Sequence, residues 1–193
     1  QIYTDVDGVY TADPRKVPKA VKMDEITYSE MLELATLGAQ VLNNRSVEMA
    51  KKYGVQLEVL SSLEAKPGTI VKEKVKMEKM LIRGVAKDNN VSRIAIVGLE
   101  DTPGVAFRVF NKLAQAKVNI DIILQSVGRD GSKDITFTVT EDQSKDAIAA
   151  IESIKDILNY KTITADNSIS KVSIVGAGME THPGVAAKMF EAL

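Results

Sequence analysis

A chain that repeats one strand, turn and helix pattern must build part of its structure from two copies of the same unit. Ser92-Arg-Ile-Ala-Ile-Val-Gly98 recurs as Ser170-Lys-Val-Ser-Ile-Val-Gly176, a spacing of 78. Pro103-Gly-Val-Ala106 recurs as Pro183-Gly-Val-Ala186 at a spacing of 80, and Phe110 and Leu113 recur as Phe190 and Leu193. An apolar strand, a Pro-Gly turn and a helical apolar face kept in the same order rarely arise by chance.

The first copy can be read through. Residues 92–98 have the apolar run of a buried strand. Glu100, Asp101 and Thr102 offer capping side chains, and Pro103 suits the first helical position. Val105, Val109, Phe110 and Leu113 then share one helical face. Residues 119–127 read as a strand, Asp130-Gly131 as a turn, and residues 133–140 as the hairpin partner, with Ile135, Phe137 and Val139 alternating. Thr140-Glu-Asp-Gln143 has the spacing of a capping box and opens a helix with Ala147, Ile148, Ile151, Ile154 and Leu158 inward. Residues 160–165 complete the order βαββαβ, the ferredoxin-like arrangement of two helices on one face of an antiparallel sheet. The second copy has only a strand and a helix, too little to cover a sheet, and the chain opens on Gln1 inside a strand-like run. The expectation is a piece of a longer protein.

The first 67 residues have a different texture. A strand and an acidic, Gly-containing turn lead into Asp13-Pro-Arg15, followed by helices over 28–37 and 44–53 and a strand over 55–60 closed by Lys66-Pro-Gly68. Residues 72–79 are a mixed-charge connector. Thr4, Asp5, Asp7, Tyr10, Thr11, Asp13 and Arg15 form the densest set of anion- and metal-competent groups: carboxylates for a ribose or a Mg²⁺-nucleotide, a ring to stack on a base, an Arg for phosphate. The plain alternative is a turn whose Asp side chains cap backbone N–H groups. Composition narrows the field. A net charge of −1 gives no global field for nucleic acid or acidic membrane, and zero Cys removes disulfides and thiolate chemistry, which suits a reducing, cytoplasmic setting. No apolar run approaches the roughly 20 residues of a membrane span.

At residues 4–15, Thr-Asp-Val-Asp-Gly-Val-Tyr-Thr-Ala-Asp-Pro-Arg, the sequence resembles the end of the catalytic domain of aspartate kinases. The resemblance continues through Asp24-Glu-Ile26, Glu30-Met-Leu-Glu-Leu-Ala35, Gly38-Ala-Gln-Val-Leu42 and Arg45-Ser-Val-Glu48. The repeat region resembles the paired ACT regulatory domains of that family, through Asp101-Thr-Pro-Gly104, Asn119-Ile-Asp121, Gln125, Gly176-Ala-Gly-Met179 and His182-Pro-Gly184. The resemblance implies an α/β (α+β) fold: residues 1–67 the nucleotide side of the kinase domain, 68–90 a linker and leading strand, 91–168 a first ACT domain and 169–193 the start of a second. It implies transfer of the γ-phosphate of ATP, with Mg²⁺, to the side-chain carboxylate of L-aspartate, giving 4-phospho-L-aspartate. It further implies feedback by lysine and/or threonine and a homo-oligomer joined through ACT–ACT pairing, with neither nucleic acid nor membrane as a partner. By position, Thr4 and Asp5 would contact the nucleotide, Tyr10 would lie along the adenine and Arg15 would approach the phosphates. Gln40 and Val41 stand where many members have Lys-Val, so position 40 keeps a hydrogen-bond donor but lacks the cation. The Lys- and Gly-rich half that would hold aspartate is not in this sequence, and the segment by itself is expected to be inactive.

The Pro-Gly turns have their own logic: a helix start offers backbone N–H groups and a favourable dipole to an amino-acid carboxylate. Asp101 would take the ammonium group, with amide contacts from Asn119 or Gln125. By resemblance the effector site comprises Asp101, Gly104, Val105, Ala106, Asn119 and Gln125, with Val185 and Ala186 in the second copy. The plain alternative is a structural cap without a ligand. A non-catalytic amino-acid-binding subunit is the competing function, which the nucleotide segment disfavours. Gly176-Ala-Gly178 imitates a dinucleotide fingerprint but has Thr181 at the sixth position. His182, the sole His, cannot build a metal site alone.

Overall fold

The computed structural model describes residues 1–75, 82–128, 131–176 and 182–192. The expectations resting on Asp130, residues 76–79 and 177–181, and Leu193 lie outside them. The chain forms two compact units, Gln1–Asp88 with Val172–Leu193, and Asn89–Lys171.

In the first unit, β1 (Ile2–Thr4), β2 (Glu25–Thr27), α1 (Tyr28–Thr36), α2 (Asn44–Tyr53), β3 (Leu57–Ser61) and β4 (Thr69–Lys72) follow in order. The strands form one sheet in the order β1-β3-β4-β2, with β1–β3 and β2–β4 parallel and β3–β4 antiparallel. α1 starts where it does because Thr27 and Glu30 close a capping box. The Thr27 hydroxyl accepts the Glu30 N–H at 3.2 Å, and Glu30 Oε2 accepts the Thr27 N–H at 3.1 Å. Tyr28, Met31 and Leu34 of α1 are buried in a core with Val9, Ile26, Val47, Val59 and Val71. Asn43 caps α2 by accepting the Arg45 N–H at 2.9 Å, and Gly54 ends it in the left-handed conformation, φ 63°. The turn into β4 runs so close to β3 that a Cβ on Gly68 would lie 1.9 Å from the Val59 carbonyl oxygen. Beyond β4 comes β5 (Gly84–Asp88).

The second unit has the βαββαβ order: β6 (Ser92–Leu99), α3 (Val105–Gln115), β7 (Ile123–Val127), β8 (Lys133–Val139), α4 (Ser144–Glu152), α5 (Lys155–Leu158) and β9 (Thr162–Asp166). The sheet order is β7-β8-β6-β9 with every neighbouring pair antiparallel, the ferredoxin-like sheet. Ile94, Ile96, Ile135 and Phe137 meet Val109 and Leu113 of α3 and Ala147 and Ile151 of α4 in the core, and Phe110 stands edge-on to Phe137 at 6.2 Å.

Three local details differ from expectation. α3 begins at Val105, after Gly104 in the left-handed conformation (φ 83°), with no side-chain cap, so neither Asp101 nor Pro103 opens it. The box at Thr140 does not close. Gln143 turns away to accept the Asn119 N–H at 3.0 Å and donate to the Lys117 carbonyl at 3.3 Å, and a single 3-10 turn precedes α4. The long second helix is interrupted at Ile154, whose φ of −121° and ψ of 23° separate α4 from α5.

The second repeat copy forms β10 (Lys171–Val175) and α6 (Val185–Glu191), and from Val172 onward it belongs to the first unit. β10 pairs with β5, and the Arg83 N–H donates to the Val175 carbonyl at 2.6 Å. The Arg83 guanidinium, 4% exposed, donates through Nε to Glu30 Oε1 at 3.1 Å, on a carboxylate itself 13% exposed. Breaking a buried pair strands a charge, which costs about 3 kcal/mol or more, whereas an exposed pair is worth about 1 kcal/mol at most. Arg83→Met is therefore expected to lower stability in urea unfolding by about 3 kcal/mol. Lys66→Ala, which removes an exposed pair with Glu64, should leave the unfolding midpoint nearly unchanged.

Candidate functional site

Residues 4–15 leave the sheet at the end of β1 and return as a short antiparallel ladder. The Met23 N–H donates to the Val9 carbonyl and the Thr11 N–H to the Val21 carbonyl, and Tyr10 bridges Lys22. Thr4 turns the chain: its Oγ1 accepts the Val6 N–H and donates to the Val6 carbonyl, both at 3.0 Å. Asp5 follows with its carboxylate exposed.

The carboxylate of Asp7 gathers the next groups. Tyr10 Oη donates to Oδ1 at 2.8 Å and Lys22 Nζ donates to Oδ2 at 3.3 Å. The Tyr10 hydrogen bond, with the Lys22 ammonium behind it, holds the Asp7 carboxyl below its ordinary 3.8 despite partial burial. The same bond to the carboxylate raises the phenol of Tyr10. Lys22 belongs to this cluster, but sequence alone did not single it out, because it becomes Tyr10's neighbour only once the ladder forms.

Arg15 is paired along one edge of its guanidinium yet largely exposed. Its Nε and Nη2 donate to Asp13 Oδ1 and Oδ2 at 3.0 and 3.2 Å, while the side chain is 81% exposed. The hydrogen bonds from Arg15 lower the Asp13 carboxyl. A guanidinium in this state can exchange Asp13 for a phosphate without a large desolvation cost. Gln40 is exposed and Val41 half-buried in the turn between α1 and α2. That turn needs Gly38, φ 114°, where a Cβ would come 3.0 Å from the Lys87 carbonyl oxygen. The structure thus joins Asp7, Tyr10 and Lys22 in one network and Asp13 with Arg15 in another, with Thr4 occupied locally.

In the second unit, Gly104 opens α3, and Val105 behind it is buried with its N–H accepted by the Thr102 carbonyl at 3.2 Å. Ala106 is partly buried against the core, so the α3 start presents backbone rather than large side chains. Asp101 is ion-paired with Lys133 at 2.6 Å. Asn119 is exposed with its N–H taken by Gln143, and Gln125 is exposed on the edge strand β7. Asp121 pairs with Lys171, and Asp134 Oδ1 accepts the Gly98 N–H at 2.8 Å. Sequence reading placed neither lysine beside its acid. In the first unit, Gly184 repeats the geometry of Gly104, with φ 91° at the start of α6, a buried Val185 and an exposed Ala186.

Comparison with known proteins follows these two regions. Residues 1–61 match the amino acid kinase family, and residues 94–153 with 172–193 match the ACT domain. The chain thus joins a segment of the amino acid kinase family to ACT-domain sequence. An aspartokinase of Mycolicibacterium smegmatis is 46% identical over 198 residues, covering 100% of this chain and 47% of that protein. E. coli aspartokinase III in complex with lysine and aspartate superposes with a TM-score of 0.75 at 26% identity, covering 99% of this chain and 42% of that one. The regulatory subunit of aspartate kinase from Thermus thermophilus superposes at 0.55 with 35% identity, over 58% of this chain and 74% of that one. The chain belongs to the aspartate kinase family, and it spans about half the length of the curated relatives it matches.

Because the Asp7 carboxyl is depressed in the folded state, it stabilises that state above 3.8, and the contribution is lost as pH falls through the lowered value. The stability advantage of the native sequence over Asp7→Asn is expected to shrink on acidification below pH 3.8. Denaturant titrations of both proteins across that range check it.

Proposed function

We propose that the protein to which this chain belongs transfers the γ-phosphate of ATP to the side-chain carboxylate of L-aspartate, giving 4-phospho-L-aspartate, under feedback by lysine and/or threonine. The observation that carries this reading is the presence, in one chain, of an open guanidinium beside an exposed carboxylate on the nucleotide segment and a βαββαβ unit behind it. Phosphoryl transfer depends on positioning and charge neutralisation rather than on a protein nucleophile. Arg15 is the residue for phosphate, Thr4 and Asp5 for the nucleotide, and Tyr10 for the adenine side. Gln40 and Val41 complete that set, Gln40 as an uncharged donor.

Magnesium fits this arrangement as the nucleotide's own ion. It usually binds through substrate phosphates and one or two carboxylates, and the described residues hold no group of three acidic or His donors. Asp5, whose carboxylate is exposed, is the ligand the loop offers; Asp7 is engaged by Tyr10 and Lys22.

The effector, on this reading, lays its carboxylate against the helix start at Gly104, Val105 and Ala106, and its ammonium displaces Lys133 from Asp101. Asn119 and Gln125 contribute amides, and Val185 and Ala186 line the matching start in the second copy. Oligomer formation through ACT–ACT pairing is supported by the edge strand β7. Ile123, Gln125 and Val127 lie opposite Phe137, Ile135 and Lys133 and so share their face, yet Ile123 is 51% exposed, Leu124 63% and Val127 73%. No helix among the described residues is long and apolar enough to cross a membrane, and we place the reaction in the cytoplasm, with ATP at hand.

A second reading, a non-catalytic regulatory subunit, is favoured by the likeness to the Thermus thermophilus regulatory subunit. Trapping of acyl phosphate with hydroxylamine separates the two. The full-length protein is expected to form the hydroxamate from aspartate and ATP, and Arg15→Ala should cut the rate about tenfold or more. An unchanged rate would remove Arg15 from its role, and no hydroxamate at all would favour the subunit. For the effector site, calorimetric titration should show lysine or threonine binding that Asp101→Ala weakens. Heat from neither amino acid would reject the sensor.

A further inference from the structure

The nucleotide reading of residues 4–15 is the foundation here, and the turn at residues 67–69 adds to it. Thr69 is fully buried, 0% exposed, at the first position of β4. Its hydroxyl donates to the Met23 carbonyl at 2.6 Å and accepts the Val9 N–H at 2.8 Å. Val9 and Met23 are themselves joined, the Met23 N–H donating to the Val9 carbonyl at 2.9 Å. One side-chain oxygen therefore spans both arms of the ladder from which Tyr10 projects. Gly8 rests on the same atom: a Cβ there would lie 2.6 Å from Thr69 Oγ1. Two residues earlier the Pro67 carbonyl accepts from Lys22 Nζ at 2.7 Å, and this ammonium also reaches Asp7, the acceptor for Tyr10. The turn thus holds Asp7, Gly8 and Val9 in succession.

The geometry points to Thr69 as a positioning residue for nucleotide binding. It acts through Val9 and the Asp7–Tyr10 pair, setting the height at which the loop presents Tyr10 and the flanking residues to ATP. Only a hydroxyl can donate and accept from one atom at this place. Valine has the same shape and can do neither, so the Val9 N–H and the Met23 carbonyl would lose their partner in a site closed to water. Serine keeps both bonds and gives up only a methyl group.

The test uses the full-length kinase, with steady-state kinetics run well below each variant's melting temperature. Thr69→Val is expected to raise KM for ATP about tenfold, with KM for aspartate within about twofold, and Thr69→Ser should restore KM for ATP to within about twofold of the native value. The role is overturned if Thr69→Val retains the native KM for ATP, if both KM values rise together as general loosening would produce, or if serine fails to restore. Arg15→Ala and Tyr10→Ala distinguish the underlying reading. Should these raise KM for ATP while Thr69→Val does not, only the positioning role falls. Should they leave it unchanged, the nucleotide assignment falls and this inference with it.

Discussion

One carboxylate, that of Glu30, sits where three parts of the first unit meet. Its Oε2 caps α1 through Thr27, and its Oε1 receives Arg83, whose backbone N–H is committed to Val175 at the end of β10. Two residues on, the Val85 N–H donates to the Thr11 carbonyl at 2.7 Å. The stretch 83–85 therefore touches the helix start, the strand contributed by the second repeat copy and the loop of residues 4–15 in turn. A pair this buried repays its desolvation only when its geometry is satisfied from all sides. Small displacements of β5 or β10 then act on α1 and on Thr11 together, because close-packed interiors pass strain on rather than absorb it.

What could be read from the sequence was whatever repeats with a short period. The alternation of Ile135, Phe137 and Val139 and the helical spacing of Val105, Val109 and Leu113 record which face is covered, and the structure buries all six. Cap chemistry was less legible where alternatives compete. Thr27 and Glu30 close their box, while Thr140 and Gln143 have the same spacing and do not, because Gln143 finds backbone partners at Lys117 and Asn119. Pairings across long separations left no local trace. Nothing near Arg83 names Glu30, 53 residues away, and nothing near Thr69 names Val9, 60 residues away. The candidate nucleotide residues were recognisable as a cluster of chemical types, but the wiring that joins Asp7 to Lys22 and Pro67 exists only after the sheet has formed.

On the proposed reading, ion pairs already present in the second unit keep the binding of a small zwitterion moderate. Asp101 and Asp121 each carry a lysine of the same chain, Lys133 and Lys171. An arriving ammonium on the proposed reading exchanges one cation for another, so its gain is the difference between two pairs. For groups as open as Asp101, 49% exposed, the displaced pair is worth little, and specificity falls to the backbone at the helix start and the amides of the edge strand.

Where the chain leaves the first unit and where it returns, Asn89 and Ser170 join side chains at 2.9 Å. The 80 residues between these two positions therefore begin and end at adjacent points. A folded cassette with such adjacent ends can be altered, lengthened or exchanged without rerouting the polypeptide that carries it. Selection can thus rework the cassette without changing the course of the chain on either side of it.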